Sequence, residues 1–380
     1  MHLNIKYTTL SLTSIIKQPL SLKKSLNMPS IPSSVLLARF SAIGDVAMTV
    51  PVVYSACRCY PQTRFVMLTR ESMVPIFSCA PPNLTVAGID VHADAYRGVA
   101  GMRRLAAEMR RQFSPDVFVD LHSVLRTRLL GFFLRLHGVR TARLDKARGK
   151  RRALTRPNNK LMLPLTGIRD RYALAFERAG MPLQECFDGL FGGRSCAPAE
   201  SFAAITGPKP AGERWIGIAP FAAHKGKIYP ERQMEQVVAA LAAEPDVRIF
   251  LLGGGGHEAE TLAAWADSIG HNVQCLAGKR YGFAAELALF NHLDCMLSMD
   301  SGNMHLAAIA GAPAVSVWGA THPYCGFTGW RQTEADMVQL PVPCRPCSVF
   351  GDKPCARGDY MCLRAIRPES ITARVLQKLK

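Results

Sequence analysis

The sequence has 380 residues, which is more than one ordinary domain contains and comfortable for two. Hydrophobic residues make up 48% and charged residues 20%, a balance that favours a soluble globular protein with a full core. The formal net charge of +17 predicts a polyanionic partner, which could be a nucleic acid, an anionic membrane surface or a phosphorylated substrate.

Residues 1–30 are predicted to be a disordered N-terminal extension, because the segment is polar, rich in Ser, Thr and Lys, and free of acids. It lacks the continuous apolar stretch and the cleavage site of a secretory signal. No uninterrupted run of 18 apolar residues occurs along the chain, so no membrane span is expected. The twelve cysteines are therefore interpreted as reduced thiols of a cytoplasmic protein.

The first half alternates short apolar runs, rich in β-branched residues, with amphipathic stretches, and this predicts buried parallel strands separated by helices. Strands are predicted at residues 35–40, 65–69, 85–91, 117–122 and 139–144, and helices at 44–60 and 99–113. The segment from Arg97 to Arg152 contains fifteen Lys or Arg residues and only four acidic residues. These cations are either solvated helix faces or a surface for an acidic partner.

A Gly- and Pro-rich stretch at residues 191–212 predicts a linker, and a second alternating series follows it. Strands are predicted at 215–220, 247–252, 273–276, 295–298 and 314–318, and helices at 231–244, 257–269 and 368–380. The sequence thus predicts an α/β protein of two Rossmann-like, doubly wound domains that face each other across a cleft. The expected domains are 31–190 and 213–365, followed by a C-terminal helix at 366–380.

The first motif that could contribute to a functional site is Ser41 to Asp45, a small-residue turn between a strand end and a helix start. Ligands of open α/β sheets bind at the carboxyl ends of strands, and Gly44 would let the backbone approach one closely. Asp45 is placed to accept a proton from an alcohol, although an Asp in a first turn can also simply cap the helix.

Two further motifs lie in loops of the second half. Lys225 and Lys227 precede a predicted helix, where they could bind phosphate or form an ordinary solvated loop. Four consecutive glycines, 253–256, permit a nucleotide to approach, and Glu258 could hold ribose hydroxyls; the alternative is a flexible turn. The glycine run matches neither a dinucleotide-binding fingerprint nor a phosphate-binding P-loop.

The most informative motif runs from Asp300 to His305, where an apolar strand leads into Asp-Ser-Gly and then a helix. The backbone amides of Ser301 and Gly302 would face an anion, helped by the helix dipole, and Asp300 could hold sugar hydroxyls. His305 would lie one turn further along as a ligand or as a structural side chain.

Four cysteines near the C-terminus, Cys344, Cys347, Cys355 and Cys362, could bind zinc. The second pair has six intervening residues instead of two, which favours free or redox-paired thiols over a metal site.

Together these motifs resemble glycosyltransferase family nine, the heptosyltransferases of the lipopolysaccharide inner core. The resemblance covers roughly residues 34–375 and rests on Ser41 to Asp45, on Lys227 to Pro230 and on Asp300 to His305. Tyr229 stands where that family usually has Trp. The resemblance implies a GT-B fold, no metal or other cofactor, and inverting transfer from ADP-heptose as co-substrate. It places the enzyme in the cytoplasm, peripherally on the anionic cytoplasmic face of the inner membrane.

The resemblance also assigns roles to individual residues. Asp45 would be the general base and Lys227 would neutralise the leaving diphosphate. Glu258, Asp300, Ser301, Gly302 and His305 would bind the donor. The arginine-rich region 97–152, and not the resemblance, provides the candidates for an acidic glycolipid acceptor such as phosphorylated lipid A that carries Kdo carboxylates. The predicted acceptor-binding residues are Ser41, Gly44, Arg126, Arg128, Arg148, Arg151 and Arg152.

Two alternatives stay open at the level of sequence. One is a GT-B transferase or an epimerase that uses another nucleotide-sugar. The other is a nucleic-acid-binding protein, motivated by the net charge, but the chain has no recognisable nucleic-acid-binding motif and no nucleic-acid partner is expected.

Overall fold

The computed structural model describes residues 31–380, so the predicted N-terminal extension lies outside the described residues. Two parallel sheets organise this part of the chain, and every strand pairing within them is parallel. Parallel strands need crossover connections, which is why helices lie between successive strands and cover both faces of each sheet. No helix among residues 31–380 is long and apolar enough to cross a membrane.

The first sheet has five strands in the order β3-β2-β1-β4-β5. Its strands are β1 (Ser34–Ala38), β2 (Arg64–Thr69), β3 (Leu84–Gly88), β4 (Val117–Asp120) and β5 (Arg140–Arg143). The helices of this half are α1 (Ile43–Ala47), α2 (Val50–Cys59), α3 (Gly98–Phe113), α4 (Leu125–Arg135), α5 (Arg148–Thr155) and α6 (Ile168–Arg178).

The second sheet has six strands in the order β11-β10-β9-β6-β7-β8. Its strands are β6 (Arg214–Ala219), β7 (Val247–Leu251), β8 (Val273–Cys275), β9 (Cys295–Met299), β10 (Ala314–Trp318) and β11 (Met337–Gln339). The helices of this half are α7 (Glu231–Ala242), α8 (His257–Ile269), α9 (Phe283–Asn291), α10 (Gly302–Ala310), α11 (Met361–Arg364) and α12 (Pro368–Lys378).

All ten predicted strands are confirmed, with ends that differ by a few residues. The helix predicted at 44–60 is wrong as a single element, because the structure has two helices, α1 and α2, joined at Met48 and Thr49. Pro51 lies in the first turn of α2, a position where its missing N–H costs no helical hydrogen bond. The strand β11 was not predicted. It follows two 3-10 turns, Pro323–Cys325 and Glu334–Asp336, instead of a helix, so it falls outside the alternation of strands and helices.

Three hydrophobic clusters form the core of residues 31–380. One cluster packs α3 and α4 on one face of the first sheet, and another packs α7, α8 and α12 on one face of the second. The largest cluster lies between the sheets and joins residues of both halves, such as Leu37 of β1 and Met296 of β9. Residues 191–212 contain no α-helix or strand, yet Phe202 is fully buried there against Trp215.

Candidate active site

Arg39, at the end of β1, organises the turn that leads into α1. Its guanidinium lies 2.6 Å from the Asp45 carboxylate, and it also donates to the backbone carbonyls of Ser41, at 2.7 Å, and Leu121, at 2.9 Å. Arg39 is 6% exposed, so these bonds form away from bulk water. The turn and the carboxylate are therefore held in one orientation, which a solvated first-turn Asp would not have.

The loop after β6 supplies a cation on the opposite side of the cleft. Lys227 ends a short 3-10 turn, and its ammonium lies 2.9 Å from the Asp300 carboxylate at the end of β9. Thr321 donates a second hydrogen bond to the same Asp300 oxygen at 2.8 Å. Asp300 is 4% exposed, and the ion pair with Lys227 balances the charge of this buried carboxylate.

The first turns of α1 and α10 are in direct contact across the two halves. A Cβ atom on Gly44 would lie 2.7 Å from the His305 ring and 3.3 Å from the Cα of Gly302, so only glycine fits between the helices. His305 is 5% exposed, and burial lowers its pKa to about 4. The neutral imidazole therefore serves as a packing surface for α1 near neutral pH.

These groups meet in a cavity of about 240 Å³ between the halves. Gly44 and Asp45 line it from the first half, while Lys227, Asp300, Ser301, Gly302 and His305 line it from the second. The backbone amides at the start of α10 thus share one cavity with a carboxylate and an ammonium group. The cavity thus combines a carboxylate, a group chemically able to accept a proton, with a cation and a helix N-terminus, both of which are suited to an anion.

A comparison with family models matches residues 102–354 to "Glycosyltransferase family 9 (heptosyltransferase)". The chain belongs to glycosyltransferase family 9. The match includes Lys227 and Asp300 and begins after Asp45 in the sequence.

Similar sequences and solved structures are consistent with this family assignment. The chain is 29% identical over 87 residues to lipooligosaccharide heptosyltransferase 2 of Campylobacter jejuni, a match that spans 23% of this chain and 26% of that relative. A solved family 9 structure from Veillonella parvula has a TM-score of 0.68 at 16% identity and covers 91% of this chain and 97% of its own. E. coli ADP-heptose LPS heptosyltransferase II has a TM-score of 0.64 at 16% identity, covering 91% and 98%. These structures confirm the predicted two-sheet GT-B fold.

Some of the predicted site residues of this family 9 chain lie outside the cavity. Glu258 accepts a hydrogen bond from the Gly254 amide at 2.6 Å within the β7–α8 turn, so its carboxylate orders the glycine-rich loop. Ser41 borders the site, with its hydroxyl 3.4 Å from a buried His122 ring. Both residues follow carboxyl ends of strands, and their predicted ligand contacts stay predictions.

The five predicted acceptor arginines are spread over two faces of the first sheet. Arg128 lines a separate pocket on the α4 side, and Arg126 lies on the same helix. Arg148, Arg151 and Arg152 lie on α5. Arg151 approaches the site most closely, since its guanidinium stacks 5.3 Å and 5.6 Å from the ring centroids of Phe327 and Phe350, which both line the cavity.

Residues at the site that carried no functional prediction include Arg39, Thr321, Phe327 and Phe350. Arg39 stands two residues before Ser41, and this position was the signal that could have found it. The two phenylalanines come from segments distant in sequence, which only folding brings to the cavity.

The C-terminal cysteines Cys344, Cys347, Cys355 and Cys362 are all free thiols. Within residues 31–380 no three His, Cys, Asp or Glu side chains are grouped closely enough to hold a metal ion. The segment that contains these cysteines instead packs beside the site, where Gly351 contacts the Lys227 side chain. Lys160 holds the same segment by donating hydrogen bonds to the carbonyls of Cys344 and Pro346.

Proposed function

We propose that this family 9 protein is an inverting glycosyltransferase that moves a heptose from ADP-heptose to an acidic lipopolysaccharide-core acceptor. The observation that carries the proposal is the cavity itself, where Asp45 of the first half faces Lys227, Asp300 and the α10 N-terminus of the second. The E. coli structures with this fold include heptosyltransferase WaaC with ADP, which supports an adenine nucleotide as the donor.

In the proposed reaction the acceptor hydroxyl attacks the anomeric carbon of the donor sugar as its proton passes to Asp45. The bond from that carbon to the diphosphate oxygen breaks, and the electron pair leaves with the diphosphate. Arg39 aims the base, and Lys227 with the amides of Ser301 and Gly302 stabilises the new negative charge. A lysine ammonium has three donors, so Lys227 can keep Asp300 and still bind phosphate.

The remaining donor residues take supporting roles in this scheme. Asp300, held by Thr321 and Lys227, would orient the hydroxyls of the heptose. Glu258 would contact the ribose once the glycine-rich loop closes over the nucleotide, since the loop lies at the same sheet edge as Lys227. His305 would support the α10 amides from behind as a neutral packing group.

Residues 146–169 suit an acidic glycolipid and the anionic membrane that carries it. This segment contains eight Lys or Arg residues and no acid. Arg148, Lys150 and Arg152 are exposed on α5, and the neighbouring Leu161, Met162 and Leu163 are 51%, 40% and 58% exposed. Cations beside exposed apolar side chains are typical of surfaces that rest on anionic membranes. We therefore propose peripheral attachment at the cytoplasmic face of the inner membrane.

The donor is tested by thermal unfolding of the purified protein with ADP-heptose, ADP and UDP-, GDP- and CMP-sugars. A ligand that binds the native state raises the midpoint in proportion to its affinity, so selective stabilisation by ADP-heptose and ADP is expected. Transfer is then followed as the mass increase of a Kdo-bearing lipid A acceptor. A selective response to another nucleotide would replace the donor, and no response to any would contradict the transferase proposal.

A further inference from the structure

Three arginines of the described chain have buried side chains, and they differ in how their donors are satisfied: Arg39, Arg171 and Arg345. Arg39 binds Asp45 and two backbone carbonyls. Arg345 donates to the carbonyls of Gly319, Thr321 and Leu340 and to the Gln339 side chain. Because a buried guanidinium without partners loses its hydration uncompensated, this full pairing is the expected state.

Arg171 departs from that pattern. It is 3% exposed in the first turn of α6, and all three of its guanidinium nitrogens are buried without a hydrogen-bond partner in the described residues. Its guanidinium carbon lies 6.0 Å from the centroid of the Phe327 ring. Stacking on a ring engages the face of the guanidinium, while its N–H donors point outward in the plane and stay free.

A second cation lies beside it. The Nε of Arg151 is also buried without a partner, and the Arg151 guanidinium stacks against Phe327 as Arg171 does. Burial and the neighbouring Arg171 charge lower the pKa of Arg151 to about 10. Two like charges therefore lie close together here. The Asp45 carboxylate is already bound to Arg39, and the other two acids whose charges act on Arg171, Asp145 and Asp170, are exposed to solvent.

We propose that Arg151 and Arg171 form an oxyanion site that seats a carboxylate or phosphate group of the acceptor next to Asp45. The location supports this assignment, because Asp45, Phe327 and Phe350 line the cavity, Arg151 lies against both rings, and Arg171 lies against the Phe327 ring. Arg151 on α5 and Arg171 on α6 belong to the first half of the chain, as does Asp45 on α1. Lys227 and the α10 N-terminus, the proposed site of the donor diphosphate, belong to the second half. The inference rests on the proposed transfer and specifies which acceptors it accepts.

An anion in this site would supply the missing hydrogen bonds and the missing countercharge together. A neutral acceptor would leave both guanidinium groups unpaired. The free-energy cost of these unpaired groups exceeds the gain from pairing them with an acid, so the site discriminates mainly against neutral acceptors. The acidic group of the acceptor then positions its hydroxyl against the base.

Anion binding is tested first without any transfer. Thermal unfolding is measured at constant ionic strength and in saturating ADP, which occupies the proposed diphosphate site at Lys227 and α10. The added ligands are gluconate, inorganic phosphate, and glucitol as the uncharged match to gluconate. The wild-type midpoint should rise with the two anions and not with glucitol. Arg171→Met keeps the apolar stem and should lose this rise, while its ligand-free midpoint stays equal to or above that of the wild type because an unpaired charge has left the core.

Two control variants separate this outcome from a general effect. Arg135→Met removes an exposed cation on α4 and should keep the anion-induced rise. Arg345→Met breaks a fully paired buried arginine and should lower the ligand-free midpoint. If Arg171→Met keeps the rise, or is destabilised as much as Arg345→Met, Arg171 is structural and the inference is overturned.

Steady-state kinetics then assign the anion to its source. For Arg171→Met the acceptor KM should increase on the order of tenfold or more, the donor KM should stay unchanged, and Arg171→Lys should recover part of the loss. An increase confined to the donor KM would overturn the acceptor assignment. If the wild-type protein transfers no heptose at all, the proposed function fails, and the melting series still decides whether the arginine pair binds anions.

Discussion

Asp45 illustrates how much of the candidate chemistry depends on single contacts. Its carboxylate is bound to Arg39, whose other donors hold the turn that carries Asp45 itself. Lys227 and Asp300 form the corresponding pair on the other half. Each reactive group is thus held by a buried partner before any substrate arrives, which reduces the reorganisation needed during the reaction.

Replacing Asp45 by Asn should separate catalysis from binding. An amide oxygen can still accept the Arg39 hydrogen bond but cannot take the acceptor proton, so turnover should fall by about 10²–10⁴-fold with stability preserved. Donor binding, measured as thermal stabilisation by ADP-heptose, should change little. Glu369→Gln removes a first-turn acid of α12, away from the cavity, and should leave turnover unchanged. Wild-type turnover of the Asp45 variant would reduce Asp45 to a helix cap.

At the scale of elements, the contact between α1 and α10 determines the width of the site. Both helices begin at the cavity, and Gly44 lets them approach until α1 rests on His305. The helix N-terminus that carries Asp45, the proposed base, is thereby held close to the N-terminus of α10, the proposed phosphate site. Neither helix alone would form such a site.

Gly44→Ala is expected to force these helices apart. Its methyl group would overlap the His305 ring, so the free energy of unfolding should fall by about 1–3 kcal/mol and activity should be lost with it. Gly149→Ala is the matched control, because Gly149 lies in the first turn of α5 and a Cβ there meets nothing within 4 Å. It should be neutral or raise stability by up to about 1 kcal/mol. Denaturant unfolding of both variants measures the difference, and equal stability of the two would show that the close approach is unimportant.

The exposed apolar segment beside α5 makes a prediction about membranes. Leu161→Ser combined with Leu163→Ser should weaken binding to vesicles that contain anionic lipid, because the apolar area that enters the interface is lost. Phe132→Ser combined with Leu136→Ser removes exposed apolar side chains of comparable size near α4, on the opposite face of the first sheet, and should have no effect. Cosedimentation at low and high salt provides the measurement. Equal loss in both double variants would contradict a specific docking face.

At the scale of the whole molecule, one hydrophobic cluster spans both sheets, so the halves are coupled in stability as well as in function. Several charged or titratable side chains lie at or near this shared layer. Burial lowers the pKa of His305 to about 4 and that of His122 to about 3, both from an ordinary value of 6.5. The folded protein therefore holds both rings neutral.

This burial predicts a loss of stability in mild acid. Below about pH 6.5 both histidines bind protons in the unfolded chain but stay neutral in the folded chain. The free energy of unfolding should therefore fall as the pH decreases toward 4. Each histidine contributes a slope that approaches about 1.4 kcal/mol per pH unit. In denaturant unfolding between about pH 7 and 5, His305→Gln should show a shallower slope than the wild type. Exposed His271 is the control, and His271→Gln should keep the wild-type slope, whereas an unchanged slope for His305→Gln would contradict the assignment.

The sequence alone determined the class of fold, because parallel strands buried on both faces leave continuous apolar runs that alternate with amphipathic helices. It also predicted Asp45, Lys227 and Asp300 as site residues because each follows a strand end, and the structure brings the three to one cavity, while their roles stay predictions. It missed β11, which follows 3-10 turns instead of a helix, and it missed the division between α1 and α2.

Only the tertiary structure decided which cations belong to the site. Local pattern gives the same weight to Arg128 and Arg151, yet Arg128 lies on α4 and lines a separate pocket, whereas Arg151 lies against the rings of the cavity. Contacts with residues distant in sequence determine the place in the site of Arg39, Arg171 and Phe327. Periodicity reports which face of an element is apolar, whereas burial without a partner is a property of the assembled molecule, and that property singles out Arg171.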